Sequence, residues 1–223
     1  MHNVSYVYSP TGFSKGANRQ MARRLTYLYF AALLLALCVF APALSEDAVP
    51  VWERRVTLHA GFDPERPVPD ETVQHLLRAA LSMPTGGDQA ALRFHAVEDR
   101  DTMRKMQEGH PYASALSTSP LVIVVSGDMA DAYYPELLEM DAGLAAGAIL
   151  MEAADRSLAT CVLSISPQEK RIESVRAALS LPETLRPILM VAVGYPSEDA
   201  RTSASIRPLD DVSVTFVPGE EEQ

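Results

Sequence analysis

A short polar loop at residues 84–94 carries several groups that could hold a ligand. It reads Pro-Thr-Gly-Gly-Asp-Gln-Ala-Ala-Leu-Arg-Phe. Thr85 and Gln89 bring a hydroxyl and an amide, which are hydrogen-bonding groups. Gly86 and Gly87 either let the backbone approach a bound molecule closely or simply form a turn. The loop is therefore the first candidate binding element, with a plain turn as the alternative.

Nucleophiles and metal ligands are sparse along the chain. Cys161 is interpreted as a small apolar filler rather than a nucleophile. None of the five histidines shows zinc-ligand spacing: His2, His59, His75, His95 and His110. His75 and His95 are expected to be packing or surface residues rather than ligands. The sequence therefore predicts no metal site, and it names no catalytic side chain.

The N-terminal region has the layout of a secretory signal peptide. Met21-Ala-Arg-Arg24 precedes an apolar run from Tyr27 to Ala41, and Ala43-Leu-Ser45 supplies small residues before Glu46. We expect Met21 to be the true start, cleavage after Ser45, and a secreted or periplasmic protein with no stable membrane insertion. An uncleaved membrane anchor is the alternative. The paired arginines are compatible with either the general or the twin-arginine export route.

Length and charge describe a single acidic domain after cleavage. The 223 residues carry a net charge of −10, and residues 1–45 contain four basic and no acidic side chains. The remaining domain, 46–223, is thus more acidic still, which disfavours binding to nucleic acid or anionic lipid. With Cys161 as its one cysteine, this domain cannot form an internal disulfide.

Hydrophobic periodicity predicts alternating helices and strands around one sheet, hence an α+β domain. Residues 46–69 are expected to be irregular. The helix over 134–156 is apolar on nearly every side, which predicts a central helix or one packed on a second subunit. We predict helices at 70–83, 102–108, 134–156 and 169–179, and strands at 93–97, 121–125, 160–165, 188–193 and 212–217.

From about Pro67 to Val214 the order of motifs resembles the nitroreductase family of flavin enzymes. That family carries a Pro-Ser-x-x-Asn-x-Gln-Pro-Trp-x-Phe loop. Pro84, Gln89 and Phe94 match it in kind, whereas Ala90-Ala91 replace Pro-Trp. Further similar segments are AADRSLATCVLSIS at 153–166, Leu-Pro-Glu at 181–183, Val-Gly-Tyr-Pro at 193–196 and Arg-Pro-Leu-Asp-Asp-Val at 207–212.

The resemblance implies a fold, a cofactor and a set of binding residues. It implies a mixed, mainly antiparallel sheet flanked by helices, and a homodimer with the long buried helix and FMN at its interface. Arginines suit the FMN phosphate. By resemblance, Arg54, Arg55 and Arg207 are candidates for it, with a solvated charged pair as the alternative for the first two. The ring edge would be met by Thr85, Gly86, Gly87 and Gln89, and its N5 region by Ser164.

Two functions follow from the resemblance. The first is an FMN-dependent oxidoreductase that reduces a nitro, quinone or similar electrophilic small molecule. NAD(P)H is the donor if the protein is cytosolic, and an unknown donor serves if it is exported. The second is a nitroreductase-fold protein that has lost FMN and binds another ligand or partner in the cell envelope. The replaced loop residues favour the second, and Gln89 and Arg207 favour the first.

Overall fold

The computed structural model describes Thr26, Tyr29, residues 49–200, residues 213–215 and Val217. The chain separates into two units, residues 1–48 and 49–223. Of the first, only Thr26 and Tyr29 are described, both in helical conformation. Apart from Thr26 and Tyr29, the predicted signal peptide therefore lies outside the described residues, as do its cleavage site and Arg207. Within the described part of the chain, no helix combines the length and apolar character needed to cross a membrane.

The larger unit contains five helices and five strands in the described residues. The helices are α1 Val51–Arg54, α2 Asp70–Leu81, α3 Arg100–Glu108, α4 Leu138–Asp155 and α5 Glu169–Ala178. The strands are β1 Val56–Thr57, β2 Leu92–Val97, β3 Leu121–Asp128, β4 Ala159–Ser164 and β5 Leu185–Gly194. Short 3₁₀ turns occupy Gly86–Asp88, Ser114–Ser117 and Pro135–Leu137.

The strands form one mixed sheet in the order β1-β4-β5-β3-β2. β1 runs parallel to β4, and the three other pairings are antiparallel. The predicted mixed, mainly antiparallel sheet is thereby confirmed. β1 was not predicted, because a strand of two residues has no periodicity, and its pairing partner begins a hundred residues later at Ala159. It also interrupts the segment expected to be irregular.

Helices cover both faces of the sheet. On one face α3 and α5 bury Met103, Met106, Ile172 and Val175 against the strands. On the other face α2 and α4 contribute Leu76, Ala142 and Ile149 to a second cluster. Leu121 to Val125 are fully buried between the two layers, which explains why β3 reads as a continuous apolar run.

Helix ends fall within a few residues of the predicted ones. α2 begins at Asp70 as predicted and ends two residues before Met83-Pro84. α3 begins two residues earlier than predicted, because the Asp99 side chain accepts a hydrogen bond from the Thr102 backbone N–H at 2.8 Å and caps the first turn. The hydrogen bonds that Asp99 accepts from the Thr102 hydroxyl and the Thr102 backbone N–H lower the pKa of its carboxyl group.

α4 is not the fully buried central helix that was one of the two predicted possibilities; the other, packing on a second subunit, stays a prediction. Ala142, Ala145 and Ile149 are buried against the sheet layer, but the opposite side is open. Met140 is 52% exposed and Leu144 is 41% exposed, and Gly147 has no atom within 4 Å of where a Cβ would lie. The apolar character of this open side therefore has no explanation within one chain.

The predicted last strand is not present where the structure describes it. Residues 213–215 and Val217 have no strand conformation. The rest of the 212–217 prediction falls on residues outside the described part of the chain.

Candidate functional site

The loop between α2 and β2 has an unusual backbone. Gly87 and Asp88 both have positive φ angles, +65° and +57°. Glycine adopts such angles without strain, and aspartate tolerates them better than most residues. A Cβ on Gly87 would lie 2.3 Å from Tyr134 Cε2, and one on Gly86 would lie 2.3 Å from Leu137 Cδ1. Both glycines are therefore required by packing against the 3₁₀ turn before α4.

A buried carboxylate on α4 holds this loop. Asp141 is 1% exposed. Its Oδ1 accepts the Gly86 backbone N–H at 2.8 Å, and its Oδ2 accepts the Gln89 Nε2 group at 2.9 Å. Because Asp141 lies in the first turn of α4, the positive end of the helix dipole also favours its negative charge.

The Gln89 side chain also takes part in the contacts between the loop and the N-terminal end of α4. Its side chain is 3% exposed. Besides the bond to Asp141, its Nε2 donates to the Tyr134 carbonyl at 3.2 Å and its Oε1 accepts the Tyr134 N–H at 3.1 Å. The Thr85 hydroxyl donates to the Gln89 carbonyl at 2.7 Å. The structure thus gives Thr85, Gly86 and Gln89 a holding role within the chain, while direct contact of any of them with a flavin stays a prediction.

The outer side of the loop borders a small cavity of about 270 Å³. Gly87 and Asp88 are exposed there, whereas Thr85 is half-buried. The cavity is lined by Ala80, Met83, Thr85, Asp88, Leu92 and Phe94, with Leu81, Gln89 and Ala90. A ligand placed against the loop would therefore meet backbone, one carboxylate and apolar side chains.

The two N-terminal arginines lie at the start of β4. Arg54 ends α1 and donates to Asp155 at 3.0 Å, and Arg55 donates to the Thr57 hydroxyl. Val56 pairs with Ala159, so both arginines lie near the first residue of β4. The ion pair of Arg54 is exposed on both sides, and such pairs contribute little to stability. An anion such as a phosphate could therefore replace Asp155 at small cost.

Ser164 lies at the other end of the same strand. It is exposed, and its carbonyl accepts hydrogen bonds from His110 Nε2 at 2.8 Å and from the Arg171 guanidinium at 3.0 Å. Ser164 is the fifth residue after Ala159, which corresponds to roughly 17 Å of extended strand. Val162, between the two ends, is 41% exposed on one face of the sheet. The outer face of β4 therefore exposes Val162 and Ser164, with Arg54 and Arg55 near its start and Arg171 at its end.

α4 separates the loop from the end of β4. The Ser166 hydroxyl donates to Glu139 at 2.5 Å, whereas the loop is bonded to Asp141. Two successive steps of a helix turn by about 200°, so Glu139 and Asp141 point to opposite sides. One chain thus brings Arg54, Arg55 and Ser164 to a single strand, but it does not bring them together with the loop.

Several residues of this region were missed by the sequence analysis. Asp141, Glu139 and Tyr134 were counted only as parts of a long helix, and His110 was given no role. An acidic residue in the first turn of an otherwise apolar helix was the one available signal for Asp141. His110 is 3% exposed and orders the end of β4 through its contact with the Ser164 carbonyl.

The other potentially reactive side chains give no indication of a chemical role. Cys161 is 1% exposed, its Sγ lies 3.5 Å from His59 Nδ1, and burial raises the pKa of its thiol, so it acts as a filler. Burial lowers the pKa of His95. No group of three or more His, Cys, Asp or Glu side chains that could hold a metal occurs among the residues that the structure describes.

Comparison with known proteins identifies the family to which the chain belongs. A model of the "Nitroreductase family" matches residues 107–195. A protein of Methanothermobacter thermautotrophicus, provisionally named an NADH dehydrogenase/NAD(P)H nitroreductase, is 30% identical over 138 residues, which cover 62% of this chain and 72% of that protein. The chain belongs to the nitroreductase family. This confirms the family predicted from the motifs, and with it an enzyme of the oxidoreductase class.

Solved structures support the nitroreductase fold. A provisionally named NADH oxidase of Clostridium acetobutylicum is similar with a TM-score of 0.67 and 28% identity, covering 75% of this chain and 99% of its own. A provisionally named nitroreductase of Desulfovibrio desulfuricans, solved in complex with FMN, has a TM-score of 0.62 and 23% identity, covering 75% and 98%. The matched family segment excludes the loop at 84–94 and both N-terminal arginines.

The chemistry of the residues along β4 fits FMN. The phosphate needs cations, a type of group that Arg54 and Arg55 offer, and the ring needs apolar contacts, of which the exposed Val162 side chain offers one. The loop fits less directly, because its Gln89 amide and Gly86 N–H already have partners within the chain. Its exposed backbone at Gly87 and its Asp88 carboxylate are the groups left for a ligand.

Proposed function

We propose that this nitroreductase-family protein is an FMN-dependent oxidoreductase that reduces a nitro, quinone or similar electrophilic small molecule. The observation that carries the proposal is β4, with two arginines at its start, an exposed apolar side chain in its middle and Ser164 at its end. The names of the relatives and the FMN complex from Desulfovibrio desulfuricans support it. The bound flavin would supply the hydride chemistry.

In this proposal the chain's own residues bind and orient the cofactor. Arg54 and Arg55 hold the phosphate by charge-assisted hydrogen bonds. Ser164, fixed through its carbonyl by His110 and Arg171, presents its hydroxyl near the reactive edge of the ring. Arg207 is proposed as a further phosphate ligand from the resemblance alone.

We further propose a homodimer. The loop and the end of β4 lie on opposite sides of α4, so a flavin that contacts both must lie between two copies. The open side of α4 supplies a surface for the second copy. It lines an apolar cavity of about 600 Å³ together with α1 and α2, with Val51, Ala79, Met83, Gly143, Leu144, Gly147 and Met151 among its walls.

The electron donor depends on where the protein functions. The curated relatives are named for NADH and NAD(P)H. We propose NAD(P)H as the donor if the chain stays in the cytosol. The signal-peptide pattern instead favours a secreted or periplasmic protein, where NAD(P)H is not produced and another reductant would be needed. Cell fractionation after expression of the epitope-tagged full chain distinguishes the cytosolic from the exported location.

Binding of FMN is the direct test of the proposed function. The purified protein is expected to show flavin absorption that persists through gel filtration after incubation with FMN. Replacing both Arg54 and Arg55 by alanine removes charged hydrogen bonds worth about 1.5–3 kcal/mol each, so the Kd for FMN should rise by at least about a hundredfold. The measurement is a titration followed by flavin fluorescence.

Arg104→Ala is the matched control for that titration. Arg104 is an exposed arginine of α3 that pairs with Asp101 and Glu108, far from β4 in sequence, and its removal should leave the Kd unchanged. A protein that stays colourless and lets FMN pass would support the alternative function, a nitroreductase-fold protein that has lost its flavin.

The dimer has its own test. Leu144→Glu places a charge in the middle of the open side of α4, where burial against a second copy would cost several kcal/mol. We expect light scattering to give the mass of two chains for the natural protein and of one for the variant, with loss of FMN binding. Ala177→Glu, on an exposed position of α5, should remain a dimer. A monomeric natural protein that binds FMN tightly would contradict the shared site.

A further inference from the structure

The strongest unexplained feature near the proposed site is the connection between α4 and the loop. A carboxylate that is 1% exposed, Asp141, accepts two hydrogen bonds from neutral donors. None of the ion pairs in the described part of the chain includes Asp141. Burying a charge with neutral partners only is costly, so the presence of a carboxylate here calls for an explanation beyond stability.

The partners of Asp141 all belong to the loop or to the turn that packs on it. Gly86 and Gln89 donate directly, and Gln89 in turn holds both backbone groups of Tyr134. The Tyr134 ring lies against Gly87. These contacts fix the backbone on both sides of Gly87 and Asp88, and the Asp88 N–H adds a hydrogen bond to the Thr85 carbonyl at 3.1 Å.

We propose that Asp141 and Gln89 are positioning residues for the cofactor, which together set the position and orientation of the loop surface that meets the flavin. The inference rests on the proposed function. Neither side chain touches the flavin. They act through Gly87 and Asp88, whose exposed backbone and carboxylate are presented at a defined distance from the N-terminal end of α4.

The hydrogen-bond geometry permits a sharp test by exchanging the two functional groups. In Asp141→Asn the new amide nitrogen faces the Gln89 Nε2, so two donors oppose each other. Rotating the Gln89 amide does not help, because its nitrogen would then face the Tyr134 N–H. In the double variant with Gln89→Glu, the carboxylate at 89 accepts both the new amide and the Tyr134 N–H, with the net charge unchanged. The Tyr134 carbonyl loses its donor, so the network is restored only in part.

The experiment compares the full-length natural protein with Asp141→Asn, Gln89→Glu and the double variant. FMN is titrated by fluorescence quenching at 25 °C, and melting temperatures are measured without FMN. We expect each single variant to raise the Kd at least tenfold. The double variant should have a lower Kd than either single variant, since it restores part of the network. Visible circular dichroism of bound FMN should report the changed orientation in the single variants.

Ser119→Ala separates positioning from stability. Ser119 is fully buried and bonds to the backbone of Leu121 and Val193, at the end of the sheet where β3 begins. It should lower the melting temperature and leave the Kd for FMN unchanged. If Asp141→Asn does not fold, Gln89→Met removes the same contacts while keeping the side-chain volume.

The outcomes distinguish the two claims. Unchanged Kd values in the single variants, or a double variant whose loss equals the product of both single losses, would overturn the positioning role while the flavin function stands. A natural protein that binds no FMN would instead remove the proposed function itself.

Discussion

Asp141→Ala is expected to lower the free energy of unfolding by about 3 kcal/mol, because it strands two buried donors that cost about 1–3 kcal/mol each. The donors are the Gly86 N–H and the Gln89 amide. Water could enter only if the loop separates from α4. Urea denaturation followed by circular dichroism provides the free energy and its denaturant dependence.

A control for this effect lies two residues away on the same helix. Glu139→Ala also removes a carboxylate that accepts one hydrogen bond, but Glu139 is exposed, so water can replace the lost contact. Its cost should stay below about 1 kcal/mol. Equal losses in the two variants would mean that burial of Asp141 has no energetic consequence.

Gly87→Ala should destabilise the protein by about 3 kcal/mol, from about 1–2 for an alanine at positive φ and about 1–3 for overpacking. The second contribution arises because the new Cβ would lie 2.3 Å from Tyr134 Cε2. The Tyr134 ring must therefore move away from the loop. Thermal and urea unfolding of the variant measure the sum.

Gly61→Ala isolates the first contribution. Gly61 also has a positive φ, +90°. A Cβ added there would lie 3.5 Å from its nearest neighbour, the Ala200 Cβ, which is an ordinary contact distance. Its cost should therefore be about 1–2 kcal/mol, the backbone part alone. If Gly61→Ala proves as costly as Gly87→Ala, packing against Tyr134 contributes nothing.

Local patterns account well for the helices and strands. α2, β3 and β5 were predictable because their apolar periodicity is contained in each segment. α4 was predicted correctly as a helix, but not its open side, since small apolar residues look alike whether they face a sheet or solvent. β1 could not be predicted because its existence depends on a partner far along the chain.

The candidate site was predictable in outline but not in the roles of its residues. The loop and the family's motif both have eleven positions from Pro to Phe, and a strict count places Asp88 at the motif's Asn and Ala90 at its Gln. Asp88 is exposed and Gln89 is buried, so a ligand against the loop can reach Asp88 more readily than Gln89. Asp141 contacts Gly86 across 55 residues, a separation that no local pattern encodes.

Because Cys161 is buried, the reactivity of its thiol can be used to measure local opening of the structure. The thiol lies in the middle of β4 at 1% exposure, with a raised pKa. An alkylating reagent can reach it only when β4 leaves the core, so the labelling rate reports the population of that open form. Because β4 also carries residues of the proposed cofactor site, slower labelling in the presence of a ligand would locate binding on this strand without any optical signal from the ligand.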